Sequence, residues 1–278
     1  MSGNVDKKLA FALKKETGAG ISDCIEALKE ANGDPEKAKA ILRKKGYKVL
    51  AKRQEIETKN GYTSAVVSED RTRGIIFALC CETDFVAKTD MFIKTCKAIE
   101  SVSGKNFPRT SEELLNSITE NGLTINEMIV DLAGKVGEKI TLSHFHYIEA
   151  PFISSYNHYG NTISSVVAFD KRPEGMEEVA REIAIHVAAM NPLAVNFEDL
   201  PPEIIEKEKQ IILEEIGSIQ DEKIRENVLK GKLNKYLSGV VLMSQPFALD
   251  ENISVKEYLN QKNFPANILK FIRIALGQ

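Results

Sequence analysis

Ile75-Ile76-Phe77-Ala78-Leu79-Cys80-Cys81, followed at once by Glu82-Thr83-Asp84-Phe85-Val86-Ala87-Lys88, is the stretch on which the fold turns. Its first seven residues are apolar at odd and even positions alike, the pattern of a strand covered on both faces. Upstream, residues 62–68 are rich in Tyr, Thr and Val, and the charged Glu69-Asp70-Arg71-Thr72-Arg73 between the two runs reads as the turn of a hairpin. Downstream, Thr89 or Asp90 caps a helix whose Phe92, Cys96 and Ile99 lie four and three apart on one stripe.

The same plan returns later in the chain. Residues 152–156 read as a strand, Asn157-His158-Tyr159-Gly160-Asn161 as a polar turn, 163–169 as a buried strand, and Val179, Ile183, Val187 and Met190 as the stripe of a helix. Between the two copies, residues 111–118 and 126–132 read as helices and 139–148 as a strand. The recurrence predicts an α+β core of two related subdomains with antiparallel sheets, one over 55–142 and one over 143–202 and 238–278. Pro201-Pro202 opens a charged stretch in which Ile205, Ile212 and Ile216, then Ile224, Val228 and Tyr236, recur at helical spacing. This predicts an inserted antiparallel helical hairpin, a coiled coil, over 203–237. The chain returns through 240–247 and closes with a helix over 255–260 and a strand over 268–276.

The first 54 residues read as a separate three-helix domain ending in a basic linker. Val5, Leu9, Ala12 and Leu13 face inward until Thr17-Gly18-Ala19-Gly20 breaks the run, and Ile21, Ile25 and Leu28 resume it. Asp34-Pro35 starts the third helix, Ala38, Ile41 and Leu42 point inward, and Gly46 is placed as the glycine that ends it. Residues 1–53 hold 13 basic and 7 acidic side chains, net +6, and 37–53 hold eight basic and no acidic ones. Such a run attracts phosphates or an acidic protein surface, or else is a solvated helix face leading into a linker.

For the whole chain of 278 residues, 37 Lys and Arg stand against 40 Asp and Glu, so a stable sequence-specific nucleic-acid binder is not expected. The first six residues lack a secretory signal plan and no apolar run approaches a membrane span, so a cytoplasmic protein with no membrane partner is expected. Cys24, Cys80, Cys81 and Cys96 form no CxxC pair and read as buried thiols, with Cys80 and Cys81 on opposite faces of their strand. Phosphate-loop, nucleophile-elbow, HExxH and dinucleotide-turn motifs are absent, so neither covalent catalysis nor a cofactor is expected. His144 and His146 share a strand face but are two of at least three ligands a metal site needs. His186, one residue before its helix stripe, reads as a hydrogen-bonded flank of the core. Phe85 is an apolar ring in a short polar loop between strand and helix, where side chains reach a partner. Pattern alone leaves open whether it is a protruding wedge or a hydrophobic staple on the next helix.

Thr17-Gly18-Ala19-Gly20 with Asp23-Cys24 and Ala31-Asn32-Gly33-Asp34, Thr83-Asp84-Phe85-Val86-Ala87, and Val136-Gly137-Glu138 come first in a collinear series. The series goes on through Ile183-Ala184-Ile185-His186-Val187-Ala188-Ala189, Gln245-Pro246-Phe247 and Phe271-Ile272-Arg273. In this order the chain resembles bacterial elongation factor Ts over nearly its whole length. The resemblance implies a guanine-nucleotide exchange factor that binds elongation factor Tu, GDP-bound and nucleotide-free, in translation elongation. It also implies a ubiquitin-associated-like character for the three-helix domain. Of Thr83, Asp84, Phe85 and Val86, it carries the aspartate and phenylalanine into the partner's magnesium and phosphate site. Val136, Gly137 and His158 are implied as secondary contacts, with Lys14 and Ile21 in the first domain. Phe11, Ile21, Ser22 and Ile25 depart from the Lys or Met often found there, which implies an altered contact. The C-terminal helical module of longer members is not expected. A homodimer or a 2:2 complex is compatible with this reading. An adaptor that binds without exchanging nucleotide, and more remotely a metal enzyme using His144 and His146, are the competing classes.

Overall fold

The computed structural model describes residues 6–277. Val5, counted above on the inward face of the first helix, lies outside them. Three helices, α1 (Lys7–Thr17), α2 (Ile21–Glu30) and α3 (Pro35–Lys52), pack around Leu13, Cys24, Leu28 and Ala38. Asp6 caps α1 by accepting from the Lys8 N–H at 2.8 Å, and Gly18 closes it in the left-handed region. The inward face of α1 is Ala10 and Leu13, whereas Leu9 and Ala12 are exposed, one step around the helix from the expected stripe.

Gly46 does not end the third helix: α3 runs on to Lys52 with Gly46 buried in its interior. The reason is a close helix crossing. A Cβ at Gly46 would lie 2.1 Å from the Val130 carbonyl oxygen of α7 (Ile125–Val136), and one at Gly134 of α7 would lie 3.1 Å from the Gly46 Cα. The two glycines let the helix backbones touch. Near the crossing, Arg43 bonds Glu127 at 2.7 Å and Asp131 at 3.4 Å, one helical turn apart on α7. Part of the basic run is paired within the chain, Lys45 with Asp23 at 2.5 Å and Arg53 with Glu82 at 2.6 Å, while Lys44, Lys48 and Lys52 are exposed on α3.

The core holds two three-stranded antiparallel sheets. β1 (Asn60–Val67), β2 (Arg73–Cys81) and β3 (Thr141–Glu149) form the first with β2 central, Ala65 opposite Ile76 and Ile76 opposite His146. Alternate β2 residues serve two cores. Ile75, Phe77, Leu79 and Cys81 face α5 (Asp90–Asn106), α6 (Ser111–Asn116) and α7, while Ile76, Ala78 and Cys80 face the second sheet. This is why the run is apolar at every position. The two cysteines lie on opposite faces, and all four are buried. Thr89 caps α5 as read from the sequence, and Phe92, Cys96 and Ile99 are fully buried. α6 stops at Asn116 and leaves Ile118 exposed, because residues 118 and 124 form a short bridge instead.

The second sheet is β4 (Phe152–Asn157), β5 (Ile163–Phe169) and, after β6 (Pro246–Phe247) and β7 (Asp250–Ser254), β8 (Ile268–Ala275), with β5 central. Its inner face, Ile153, Val166, Ala168 and Ile274, packs on the first sheet, and its outer face on α8 (Glu177–Met190) and α11 (Val255–Gln261). α9 (Pro202–Glu215) and α10 (Glu222–Val240) pack on one another, burying Ile212 and Ile216. Ile224, expected on their seam, is exposed in the first turn of α10. Among the described residues no helix is long and apolar enough to cross a membrane.

The sheets are also joined edge to turn. The Asn157 side chain accepts from the Ala65 N–H at 2.7 Å and donates to the Ala65 carbonyl at 3.0 Å, as a paired strand would. The Asn161 carbonyl accepts from the Thr63 N–H at 2.7 Å, and its side-chain amide donates to the Thr63 carbonyl at 3.1 Å. The turn of one sheet thus completes the open edge of the other.

His186 explains why two distant motifs occur together. It is fully buried, its Nδ1 accepts from the Ala248 N–H at 3.1 Å, and its Nε2 lies 3.0 Å from the Gln245 Oε1. That network requires the neutral ring with its proton on Nε2. Gln245 in turn donates to the carbonyls of Met190 and Gly239 at 3.1 and 2.8 Å. Burial holds the His186 pKa below its usual value. Below about pH 6.5 the unfolded chain therefore binds a proton that the folded one refuses, so stability is full above that pH and falls as pH drops toward the folded pKa. His146, held low by burial and by His144, shifts stability in the same direction. His186→Gln is expected to flatten the melting temperature between pH 7.5 and about 5.5 relative to the unaltered chain, with His146 leaving a residual slope. Equal slopes in both proteins would contradict the network.

Candidate partner-binding surface

The segment after β2 is held by its neighbours on every side but one. Glu82 accepts from Arg53 at 2.6 Å and from the Lys139 N–H at 2.6 Å, and its carbonyl accepts from the Asn60 side chain at 2.8 Å. Thr83 donates to Glu138 from its N–H at 3.1 Å and its hydroxyl at 2.7 Å, while that hydroxyl accepts from the Val86 N–H at 3.4 Å. The result is one helical turn, α4 (Asp84–Ala87), capped by Thr83. Val86 is 8% exposed and points into the first core. Phe85, on the other side of the turn, is 81% exposed. It is not a staple on α5. Asp84 is also exposed, with Lys88 one turn on at 2.7 Å holding its carboxyl below the usual range.

Val136 and Gly137 end α7 beside this turn. Val136 is partly buried against the first core, and Gly137 takes φ +75°, with its N–H on the Ala133 carbonyl at 2.9 Å. Glu138 follows, so its two bonds to Thr83 join the Val136-Gly137-Glu138 string to the Thr83-Asp84-Phe85-Val86 string. Gly18 of the three-helix unit lies against the same region: a Cβ there would be 3.7 Å from both the Met91 Sδ of α5 and the Lys135 Nζ of α7. Lys14, in the last turn of α1, is exposed, and Ile21, opening α2, is half-buried against the three-helix core. His158 sits on the β4–β5 turn, exposed, with its Nδ1 3.0 Å from the Tyr156 hydroxyl. A groove of about 680 Å³ connects that turn to α4, lined by Asp84 and Lys88 on one side and by Gly160 and Asn161 on the other.

Other chemistry-bearing groups lie elsewhere. His144 and His146 pair with Ala78 and Ile76 of β2 and so share their side of the first sheet, and among the described residues no group of three or more His, Cys, Asp and Glu stands together to hold a metal. Cys81, donating to the Thr83 carbonyl at 3.1 Å, has its thiol pushed up to about 12 by burial, which keeps it protonated. Sequence reasoning passed over Glu82, Glu138, Asn157 and Asn161, which brace the surface. Their only sequence signal was carboxylates and amides beside a candidate loop.

A braced turn that spends its fixed contacts on holding an aromatic ring in solvent is the build of a protein that works by contact with another macromolecule. Comparison with known proteins narrows that class. The family model described as Elongation factor TS matches residues 82–278. Proteins named Elongation factor Ts are similar across almost the whole chain. The one from Christiangramia forsetii is 38% identical over 268 residues, 95% of this chain and 96% of its own. The one from Aquifex aeolicus is 38% identical over 277 residues, 95% of each chain. The chain belongs to the elongation factor Ts family.

Proposed function

We propose that this protein is the guanine-nucleotide exchange factor of elongation factor Tu, acting in translation elongation without covalent chemistry. The observation that carries the reading is Phe85, an exposed ring on a turn whose neighbours Thr83 and Val86 are both locked inward. In this reading Thr83 and Val86 hold the turn, and Asp84 and Phe85 enter the partner. The ring wedges between elements of the GTPase domain and shifts its phosphate loop. The Asp84 carboxylate disturbs the bound magnesium, which tolerates little departure from octahedral geometry. An exposed pair such as Asp84 with Lys88 contributes little on its own, so the carboxylate is free to exchange partners on docking. Val136, Gly137 and His158 supply flanking contacts, and residues 1–54 form a ubiquitin-associated-like domain that presents Lys14 and Ile21. Residues 203–237 are a coiled-coil insertion between the parts of the second subdomain.

Release of a fluorescent GDP from purified elongation factor Tu, with and without this protein, tests the reading. The unaltered chain is expected to accelerate release, and no acceleration at saturating concentration would refute it. Asp84→Asn is expected to slow release in magnesium and to recover most of the lost rate in EDTA, because the chelator has already removed the ion. An equal defect in both buffers would make Asp84 a docking group only.

A further inference from the structure

Among the large apolar side chains of the described residues, the two most exposed are Tyr159 at 96% and Phe85 at 81%. They lie 74 positions apart in sequence, Phe85 on α4 and Tyr159 on the β4–β5 turn. Their immediate neighbours nevertheless line one groove, Asp84 beside Phe85 and Gly160 beside Tyr159. The two rings thus stand in solvent on the two elements, α4 and the β4–β5 turn, whose other residues line a common groove.

The Tyr159 turn is as firmly held as α4. The His158 N–H bonds the Ile163 carbonyl at 2.9 Å, the Asn161 N–H bonds the His158 carbonyl at 2.9 Å, and Asn161 is tied to Thr63 of β1 through both its carbonyl and its side chain. Gly160 and Asn161 take φ of +82° and +54°, which sets the tip of the turn. Of the residues at that tip, Tyr159 alone gives its ring to solvent almost entirely, and nothing in the turn depends on it. A tyrosine held on a fixed loop offers a large amphipathic contact area at little ordering cost.

We propose that Tyr159 is a second anchor of the partner surface, seated on the same protein as Phe85 and dividing the work with it: Tyr159 holds the complex and Phe85 acts on the nucleotide site. The occupant is the GTPase of the proposed function, because the groove lined by Gly160 and Asn161 of this turn is also lined by Asp84 and Lys88 and so is continuous with the α4 surface. The proposal rests on that reading.

The test measures binding and release separately, using the full chain, purified elongation factor Tu in its nucleotide-free and GDP-bound forms, and the variants Tyr159→Ala and Tyr159→Phe. Tyr159→Ala is expected to weaken binding at least about tenfold while leaving melting unchanged and the saturating release rate within about twofold. Tyr159→Phe, which keeps the ring, is expected to stay within about threefold of the unaltered chain in binding. Unchanged binding by Tyr159→Ala would overturn the proposal. Loss of a self-associated species in sedimentation, with binding to the GTPase intact, would overturn it too and assign the ring to a second copy of the chain. An unaltered chain that binds but does not release nucleotide would refute the exchange reading alone, and the binding comparison would still decide the role of Tyr159.

Discussion

Phe85→Ala is expected to lower exchange by about 30-fold or more while moving the melting temperature by no more than about 2 °C. The first figure is the effect of truncating a central interface anchor, at least ~2 kcal/mol, converted to a rate or binding ratio. The second follows from exposure: a side chain 81% in solvent contributes almost nothing to folding, whereas a buried phenylalanine would cost about 3–5 kcal/mol on truncation. Thermal melting and nucleotide release on the same preparations separate the two. Loss of stability with unchanged release per folded molecule would mean that the ring is part of the core in solution and not a contact.

Gly46→Ala is expected to act in the opposite way, on the frame before the contact. The added methyl would stand 2.1 Å from a backbone oxygen of α7, and α7 cannot move aside without disturbing the Arg43 bonds to Glu127 and Asp131. Overpacking costs about 1–3 kcal/mol and more when backbone must shift, and the helix preference of alanine over glycine returns only about 1 kcal/mol. A net loss near 2 kcal/mol is expected, concentrated where α3 meets α7, so amide exchange of Val130 and Gly134 should accelerate before that of β2. A variant with unchanged melting and unchanged amide protection would show that the two helix backbones do not touch at Gly46. Because the crossing also places Gly18 against Met91 and Lys135, partner binding is expected to weaken along with it.

These two residues also mark how far the sequence could be read. Phe85 announced itself locally, as one ring among polar neighbours between a buried strand and a capped helix. The double-faced apolar pattern of β2, the Thr89 cap and the repeated hairpin-helix plan were equally local, because periodicity and caps are fixed by residues a few positions apart. Gly46 was misread because a glycine after Lys44 and Lys45 has the local look of a helix end. Its true partner is a carbonyl 84 positions away. In the basic run, read as an attractive surface or a solvated helix face, the pairing of Arg43, Lys45 and Arg53 with carboxylates on other elements had no local signal. Whether Phe85 was wedge or staple depended on Glu82 and Glu138, whose bonds to Arg53 and Thr83 span 29 and 55 positions. Polar side chains that brace a turn across such distances look like any solvated loop in one dimension. Asn157 and Asn161 likewise read as turn residues, although they also complete the edge of β1.

Binding of this chain and binding of nucleotide are expected to weaken each other on one GTPase molecule. Coupling between two ligands is reciprocal, so the factor by which the chain lowers GDP affinity must equal the factor by which GDP lowers affinity for the chain. Calorimetric titration of the chain into nucleotide-free and GDP-bound elongation factor Tu, at fixed magnesium, measures that factor directly. Markedly tighter binding to the nucleotide-free form is expected, by a ratio that matches the loss of GDP affinity and shrinks in Phe85→Ala. Equal affinity for the two forms would contradict it and leave a protein that docks without exchanging anything.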